Sequence, residues 1–359
     1  MIYSVYHQHI HRERKTWIIQ LLIFAMFLIL IPSTLYSQTI SRVGSTAATF
    51  LKVGIGARAL AMGDAYTTLA EDVLGVYWNP GAMATIEKMQ ATYSHYQYIA
   101  DVRYDFGACA IPMPNIGTIG AFLGYMNYGE IERTTIQFPD GDGERVTASS
   151  FVVGFSYTRS LTDRFSIGGN IKYIYEGIWH STASAYAADV GLLYKTFFKN
   201  IRIGMSISNF GSSMKMDGRD MSVQHDITSA VAGNNPNIPA HLDTDTYPLP
   251  LLFRVGLSSN ITRDLLDMTE TDWILAIDVI HPNDNKEYLN IGTEVAFLNH
   301  LFSLRGGYRQ VFLEHREGGL TLGGGVSLDI SNSSIALDYA MIDYGRLGNK
   351  NVITLVISY

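Results

Sequence analysis

From Met89 to Tyr359 the chain is written in runs of about ten residues in which apolar and polar side chains alternate. In the last nine residues, Ile353, Leu355, Ile357 and Tyr359 fall on one face, while Val352, Thr354, Val356 and Ser358 fall on the other, because side chains alternate along a strand. The pattern recurs where Ile167, Ile171, Tyr173 and Tyr175 oppose Gly168, Asn170, Lys172 and Glu176. It recurs again where Phe302, Leu304 and Tyr308 oppose Ser303, Arg305 and Arg309. One face is apolar with aromatics toward its ends; the other is small or charged. That is the lipid-out, polar-in pattern of a transmembrane β-barrel. A soluble sandwich also alternates, but its polar faces would be richer in Lys and Glu. Charged residues make up only 16% of this chain, against roughly 25% in ordinary soluble domains.

The runs number fourteen, an even count as bacterial barrels use. They start near Met89, Arg103, Gly117, Ser150, Arg164, Tyr186, Asn200, Leu249, Asp272, Glu287, Leu301, Gly319, Ser334 and Asn351. With both termini in the periplasm, every second connection must be short. Pro112 to Asn115, Thr162-Asp163, Phe198-Lys199, Asn299-His300 and Ser331 to Ser333 are short, with Asn260 to Thr271 the exception. The alternate set holds the two longest connections, Tyr128 to Thr147 and Gly211 to Tyr247.

The front of the chain carries an export signal. Arg12, Arg14 and Lys15 precede an apolar run from Trp17 to Ile31, shorter than the roughly 20 residues a spanning helix needs. Pro32 breaks the run, and Leu35-Tyr36-Ser37 offers a cleavage site. Residues 1–37 are therefore read as a cleaved signal peptide, with an uncleaved anchor as the alternative. No Cys follows the site, so a lipoprotein anchor is excluded. His7, His9 and His11 precede the signal core and would leave with it. The net charge of −7 argues against a nucleic-acid partner, which demands a basic stripe.

Between signal and strands, residues 38–86 read differently: Ala-rich, helix-prone and polar-edged. The stretch TAATFLKVGIGARALAMGDAYTTLAEDVLGVYWNPGAMA, Thr46 to Ala84, resembles the N-terminal signature of the PorV/PorQ family, relatives of the FadL-type outer-membrane channels. Two positions depart from the usual form. Asp64 stands where a second Gly is usual, and Gly81-Ala82 inverts the usual Ala-Gly.

A fourteen-stranded barrel is too wide for its inward side chains to fill, eight strands being about the limit. Residues 38–86 are therefore expected to be a lumenal plug, closely packed through Ala57, Ala59, Ala61, Gly63 and Ala65. Its charges, Arg58, Asp64, Glu71 and Asp72, can pair with inward groups such as Arg202, Arg254, Arg305 and Arg309. Trp78-Asn79-Pro80 would end it, since Pro80 disfavours helix at Asn79. A periplasmic helix docked on the rim is the alternative.

Other signals are weaker. Pro139 to Glu144 places acidic oxygens at alternate positions but lacks the longer ligand run ending in a bidentate Glu, so it reads as a Gly-rich outer turn and no metal site is assigned. Asp217, Asp220, Asp226, Asp243 and Asp245 make the longest loop acidic and are the candidate partner-binding residues; a solvated loop is the default reading. His281 to Asn285 has a turn composition. Cys109, the one cysteine, sits mid-strand as a packing residue. There is no G-x-S-x-G and no spacing that marks a Ser–His–Asp set, so neither an enzyme nor a cofactor is expected.

The reading is an all-β, fourteen-stranded antiparallel transmembrane barrel over residues 87–359 with an N-terminal lumenal plug, in the outer membrane of a Gram-negative cell. The resemblance implies a platform or shuttle for cargo of the type IX secretion system. Its partners would be secreted cargo, attachment-complex proteins and outer-membrane lipid. The alternative is a FadL-like channel for hydrophobic small molecules, which would need an apolar lumenal pocket.

The aromatic terminus motivates one prediction. Tyr359→Asp should lower the amount of inserted barrel, measured as the faster-migrating unboiled band in outer-membrane fractions. Insertion at the wild-type level would show that Tyr359 carries no assembly signal.

Overall fold

The computed structural model describes residues 42–226, 235, 237–265, 271–314 and 316–359. The signal peptide assigned to residues 1–37 lies outside the described residues. Fourteen long strands form the wall: β1 Gln90–Gln97, β2 Arg103–Met113, β3 Gly117–Glu132, β4 Arg145–Thr162, β5 Phe165–Ile178, β6 Ser181–Lys195 and β7 Arg202–Gly211, then β8 Leu252–Asn260, β9 Asp272–Pro282, β10 Tyr288–Phe297, β11 Phe302–Val311, β12 Leu320–Ile330, β13 Ser333–Asp343 and β14 Asn349–Ser358.

Each strand pairs antiparallel with its neighbours in the chain, and β1 pairs with β14 from Gln90↔Ser358 to Gln97↔Asn351, which closes the ring. Closure satisfies every strand edge, as hydrocarbon requires. The alternation sorts as the sequence reading expects. Ile353, Leu355 and Ile357 face outward and are exposed, while Val352 and Thr354 are buried. Lys172, Asp278, Glu294, Arg305 and Asp338 are likewise buried, on inward faces.

Two boundaries differ from the sequence reading. β4 begins at Arg145 rather than Ser150, and β6 at Ser181 rather than Tyr186. β3 also runs on to Glu132 across a bulge between Asn127 and Glu130, so the connection read as Tyr128 to Thr147 shrinks to residues 133–144. Strands β3 to β6 are 14–18 residues long, against 9–10 for β8, β10 and β11. The added residues, Thr147 to Ser149 and Thr182 to Ser184, are mostly small and polar and lack the apolar face that marks a strand in lipid. Backbone pairing between neighbouring extensions holds them.

The connection from β7 to β8 also carries short strands. Met214–Lys215 pairs with Thr246–Tyr247, Asp217–Gly218 with the start of β6, and Ser222–His225 with Ile238–His241. The stretch is a stack of small hairpins on the rim rather than a strand-free surface. The connection from β8 to β9 opens on one turn of π-helix, Ile261–Leu265.

Candidate functional site: the lumenal segment and the far rim

Residues 46–86 pack on the inward faces of the strands. The Ala-rich stretch makes only short helices, α1 Ala57–Ala61 and α2 Gly75–Trp78, with 3-10 turns at Thr49–Lys52 and Pro80–Thr85. A long helix is prevented by left-handed backbone at Gly63 (φ 64) and Asp64 (φ 62), the place where a second Gly is usual in the family. Backbone groups that a helix would pair internally go to the wall instead. Ala57 N donates to Thr354 Oγ1 at 2.8 Å, Tyr66 N and Thr67 N donate to Asp278 Oδ2 at 2.9 and 2.8 Å, and Ala61 O accepts from Thr321 Oγ1 at 3.0 Å. The two bonds to the Asp278 carboxylate belong to the stronger, charge-assisted class.

The approach is backbone to backbone. A Cβ on Gly307 would lie 2.2 Å from Gly63 N, and one on Gly191 would lie 2.1 Å from Asn79 Oδ1. Both strands can carry only Gly there. Gly81, the inverted position of the signature, would meet Gly191 O at 2.5 Å.

The segment's charges are paired. Arg58 forms a fork on Glu294, with Nε–Oε2 at 2.9 Å and Nη2–Oε1 at 2.8 Å, and its Nη1 lies 3.5 Å from Asp72. Tyr66 Oη donates to Asp72 at 2.5 Å. Glu294 also meets Arg305 at 2.5 Å, and Arg305 meets Asp338 at 2.5 Å. The result is one chain of alternating charge from the segment into the wall. Asp64 makes a charge contact of 2.7 Å with Arg309. Glu71 meets Lys195 at 2.7 Å and Arg202 at 3.2 Å.

Of the four wall arginines expected to face segment charges, Arg202 and Arg309 do so. Arg305 instead pairs with two wall carboxylates, and Arg254 donates to Ser208 Oγ at 3.0 Å and lies 5.5 Å from the Trp78 ring centre. Desolvation explains the change: two buried inward carboxylates leave Arg305 already paired. Sequence reading did not name the wall's own acids, Asp278, Glu294, Asp284 and Asp338, as partners of the segment. Their signal is a lone carboxylate on an otherwise small or apolar strand.

Trp78 Nε1 donates to Ile55 O at 3.0 Å. Asn79 Nδ2 donates to Thr67 O and Leu192 O at 2.8 and 3.0 Å, and its Oδ1 accepts from Gly81 N at 3.0 Å. The side chain of Asn79 thus caps the next turn, with Pro80 at its first position. Pro80 ends α2, as expected, but the packed segment continues to Ile86.

At its front end the segment forms a strap across the rim opposite the short connections. Thr46 Oγ1 donates to Asp284 at 2.8 Å, Lys52 Nζ lies 2.5 Å from the same carboxylate, Ala47 N donates to Pro248 O at 3.0 Å, and Ala48 N donates to Glu176 at 3.0 Å. The buried Asp284 belongs to the stretch read as a simple turn; His281 and Pro282 end β9. Beside the strap lies a cavity of about 510 Å³ bordered by Phe50, Trp78, Tyr98, Tyr288, Arg254 and Arg309.

The loop acids are dispersed. Asp217 accepts from His241 at 2.8 Å, and that hydrogen bond holds its carboxyl below the ordinary carboxylate range. Asp243 pairs with Lys215. Asp245 borders a second cavity, of about 450 Å³, with Met214 and Met216. Asp226 lies at the end of the described part of the loop, and the side chain of Asp220 lies outside the described residues. In the Gly-rich turn, Asp142 and Glu144 both accept from Arg133 at 2.7 Å. No group of residues fit to hold a metal occurs among the described residues. Tyr359 faces outward, 79% exposed, with its N–H donating to Met89 O at 2.8 Å. Cys109 is half-buried on the outward face of β2.

The closed ring of fourteen antiparallel strands defines a FadL-like outer-membrane barrel. A Pseudomonas aeruginosa FadL homologue shares the fold at 12% identity and a TM-score of 0.50, covering 86% of this chain and 98% of that one. So do the Ralstonia pickettii toluene transporter TbuX (13%, 0.52; 85% and 97%) and the Pseudomonas putida toluene transporter TodX (12%, 0.53; 85% and 97%). The profile described as "Type IX secretion system protein PorV" matches residues 36–228, more than half of the chain. The chain belongs to the PorV family, and family and fold together place it in the outer membrane. A search of curated proteins gives no match.

The charge chain yields a prediction. Arg305→Met leaves Glu294 and Asp338 facing each other while buried, and breaking such a pair costs about 3–5 kcal/mol. The variant should lose its heat-resistant unboiled band well below the wild-type temperature. An unchanged transition would show that this buried wall network contributes nothing to the stability of the barrel.

Proposed function

We propose that this chain is a non-catalytic outer-membrane platform for type IX secretion, exported by a cleaved signal peptide. In this reading residues 38–86 are a lumenal plug, and the far-rim loops meet secreted cargo or attachment proteins. Family membership supports the secretion role, and one observation carries the structural part. The segment is tied to the wall by ion pairs and backbone bonds along its length, from Thr46–Asp284 to Glu71–Lys195. A barrel anchored in this way offers its rim, not its bore, to partners. Residues 212–247 form the longest connection on that rim. Parity of the connections supports a position for it outside the cell.

The second reading, a FadL-like channel, draws on the cavity beside the strap. Its aromatic wall of Phe50, Trp78, Tyr98 and Tyr288 is more apolar than the small and charged inward faces alone imply. A hydrophobic small molecule would fit such a lining, and two of the structural neighbours named above are toluene transporters.

Replacing residues 213–246 by a tight turn separates the two. The strap's bond to Pro248 O stays in place, and surface loops tolerate such deletion. In cells with a working secretion system, the variant should insert normally and no longer co-purify with cargo or attachment proteins. Uptake of long-chain hydrophobic compounds should be unchanged. Retained cargo capture with lost hydrophobic uptake would make the chain a channel.

A further inference from the structure

Three neighbouring strands bring a lysine, a carboxylate and an amide together on the lumenal side of the wall. Lys172 lies on β5, Asp189 on β6 and Asn209 on β7, and all three are buried, at 8%, 3% and 3% exposure. Lys172 Nζ lies 2.7 Å from Asp189 Oδ1 and donates to Asn209 Oδ1 at 2.5 Å. Two other lysines pair with carboxylates inside the barrel, Lys52 with Asp284 and Lys195 with Glu71. Their side chains are 34% and 33% exposed, and neither pair includes an amide.

Each member of the trio is held by its surroundings. The ladder between β6 and β7 shifts register between Ala188 and Val190, at the point where Asp189 meets Asn209. Asn209 N donates to Asp189 Oδ1 at 2.7 Å from left-handed backbone (φ 67), a conformation that few residues besides Gly and Asn adopt. Asn209 Nδ2 donates to Pro250 O at 2.9 Å, so the amide gives its carbonyl oxygen to the lysine. Asn170 Nδ2 donates to Asp189 Oδ2 at 2.8 Å and to Val76 O of the lumenal segment at 2.7 Å.

This is the arrangement that acyl transfer from an amide to an amine requires. A C=O bond is about 1.23 Å long, so Lys172 Nζ stands at most about 3.7 Å from Asn209 Cγ, close to the roughly 3–3.5 Å of a near-attack geometry. Charges held away from water are costly. A proton passed from Lys172 to Asp189 removes both charges and frees the lone pair that makes the amine a nucleophile.

We propose that Lys172 and Asn209 become joined by an isopeptide bond inside the folded barrel, with Asp189 carrying the proton. Attack on Cγ forms the Nζ–Cγ bond, and collapse of the tetrahedral carbon breaks the Cγ–Nδ2 bond. Of the three protons that Lys172 starts with, one stays on the new amide and two leave on Nδ2, one of them by way of Asp189. The leaving group departs as ammonium, and Asp189 ends as the carboxylate it began. No oxidant, cofactor or second protein takes part. The bond ties β5 to β7 across β6 and fastens the root of the longest connection, which begins at residue 212. The inference concerns the wall and stands apart from the choice between platform and channel.

The test is peptide mass spectrometry on the full chain, cut from the faster-migrating unboiled band of outer-membrane fractions. With a free Lys172, trypsin releases residues 165–172 and 203–215 as separate linear peptides. The bond blocks cleavage after Lys172. The digest should then lack both linear peptides and contain one branched peptide, residues 165–195 joined to residues 203–215, lighter than the two together by one ammonia. Fragment spectra should place the junction at Lys172 and Asn209. Chain collected unfolded in urea should give the linear peptides, because the reaction needs the folded geometry. Asp189→Asn, which keeps the shape but not the proton carrier, should give them too while retaining the unboiled band shift. Linear peptides from the folded wild-type chain would overturn the proposal, as would a junction at other residues. A branched peptide that persists in an inserted Asp189→Asn barrel would also overturn it. If that variant does not insert, the wild-type digest decides by itself.

Discussion

A strand edge left open in hydrocarbon has no water to pair with, and each unsatisfied backbone group costs several kcal/mol. The pairing of β1 with β14 removes that edge, and the rest of the structure follows from it. Once the ring closes, every strand has one face in lipid and one in the lumen. The outward face must be apolar. The inward face is then free to carry charge, but fourteen strands enclose more space than inward side chains can fill.

That space is occupied by chain, and the chemistry of its attachment follows from low dielectric. Ions buried in the lumen are stable only if paired and hydrogen-bonded. Arg58, Glu294, Arg305 and Asp338 alternate in sign across the boundary between segment and wall. Arg305 cannot be removed without taking from Asp338 its ion-pair partner. The inward glycines serve the same end by steric means. Gly191 and Gly307 let the backbone of the segment lie against the backbone of the wall, so that wall side chains can reach its N–H and C=O groups. The strap at Asp284 and Glu176 is the outer end of the same attachment.

The wall was largely legible in the sequence because lipid imposes a period-two pattern that nothing else in the chain imitates. Strand number, facing and most starts follow from it. The pattern stops informing where lipid stops. Arg145 to Ser149 and Ser181 to Ala185 are strand because their neighbours are strand, a fact spread over distant sequence. The lumenal segment was legible as a unit but not in its path. Alanine spacing suggests helix, whereas Tyr66 and Thr67 send their N–H groups to Asp278, more than 200 residues away. The partners of Arg58 and Asp64 were half anticipated. Arginines on the wall were considered, but the acids beside them were not, and those acids decide which arginine is still available.

The central claim is that the ion-paired segment keeps the barrel closed. Single-channel recording in planar bilayers tests it most directly, on the intact chain and on a variant lacking residues 46–84 whose unboiled band shift confirms insertion. The account predicts a silent intact protein and steady, ohmic conductance from the variant. A variant as silent as the intact protein, or an intact protein that conducts as steadily as the variant, would contradict it.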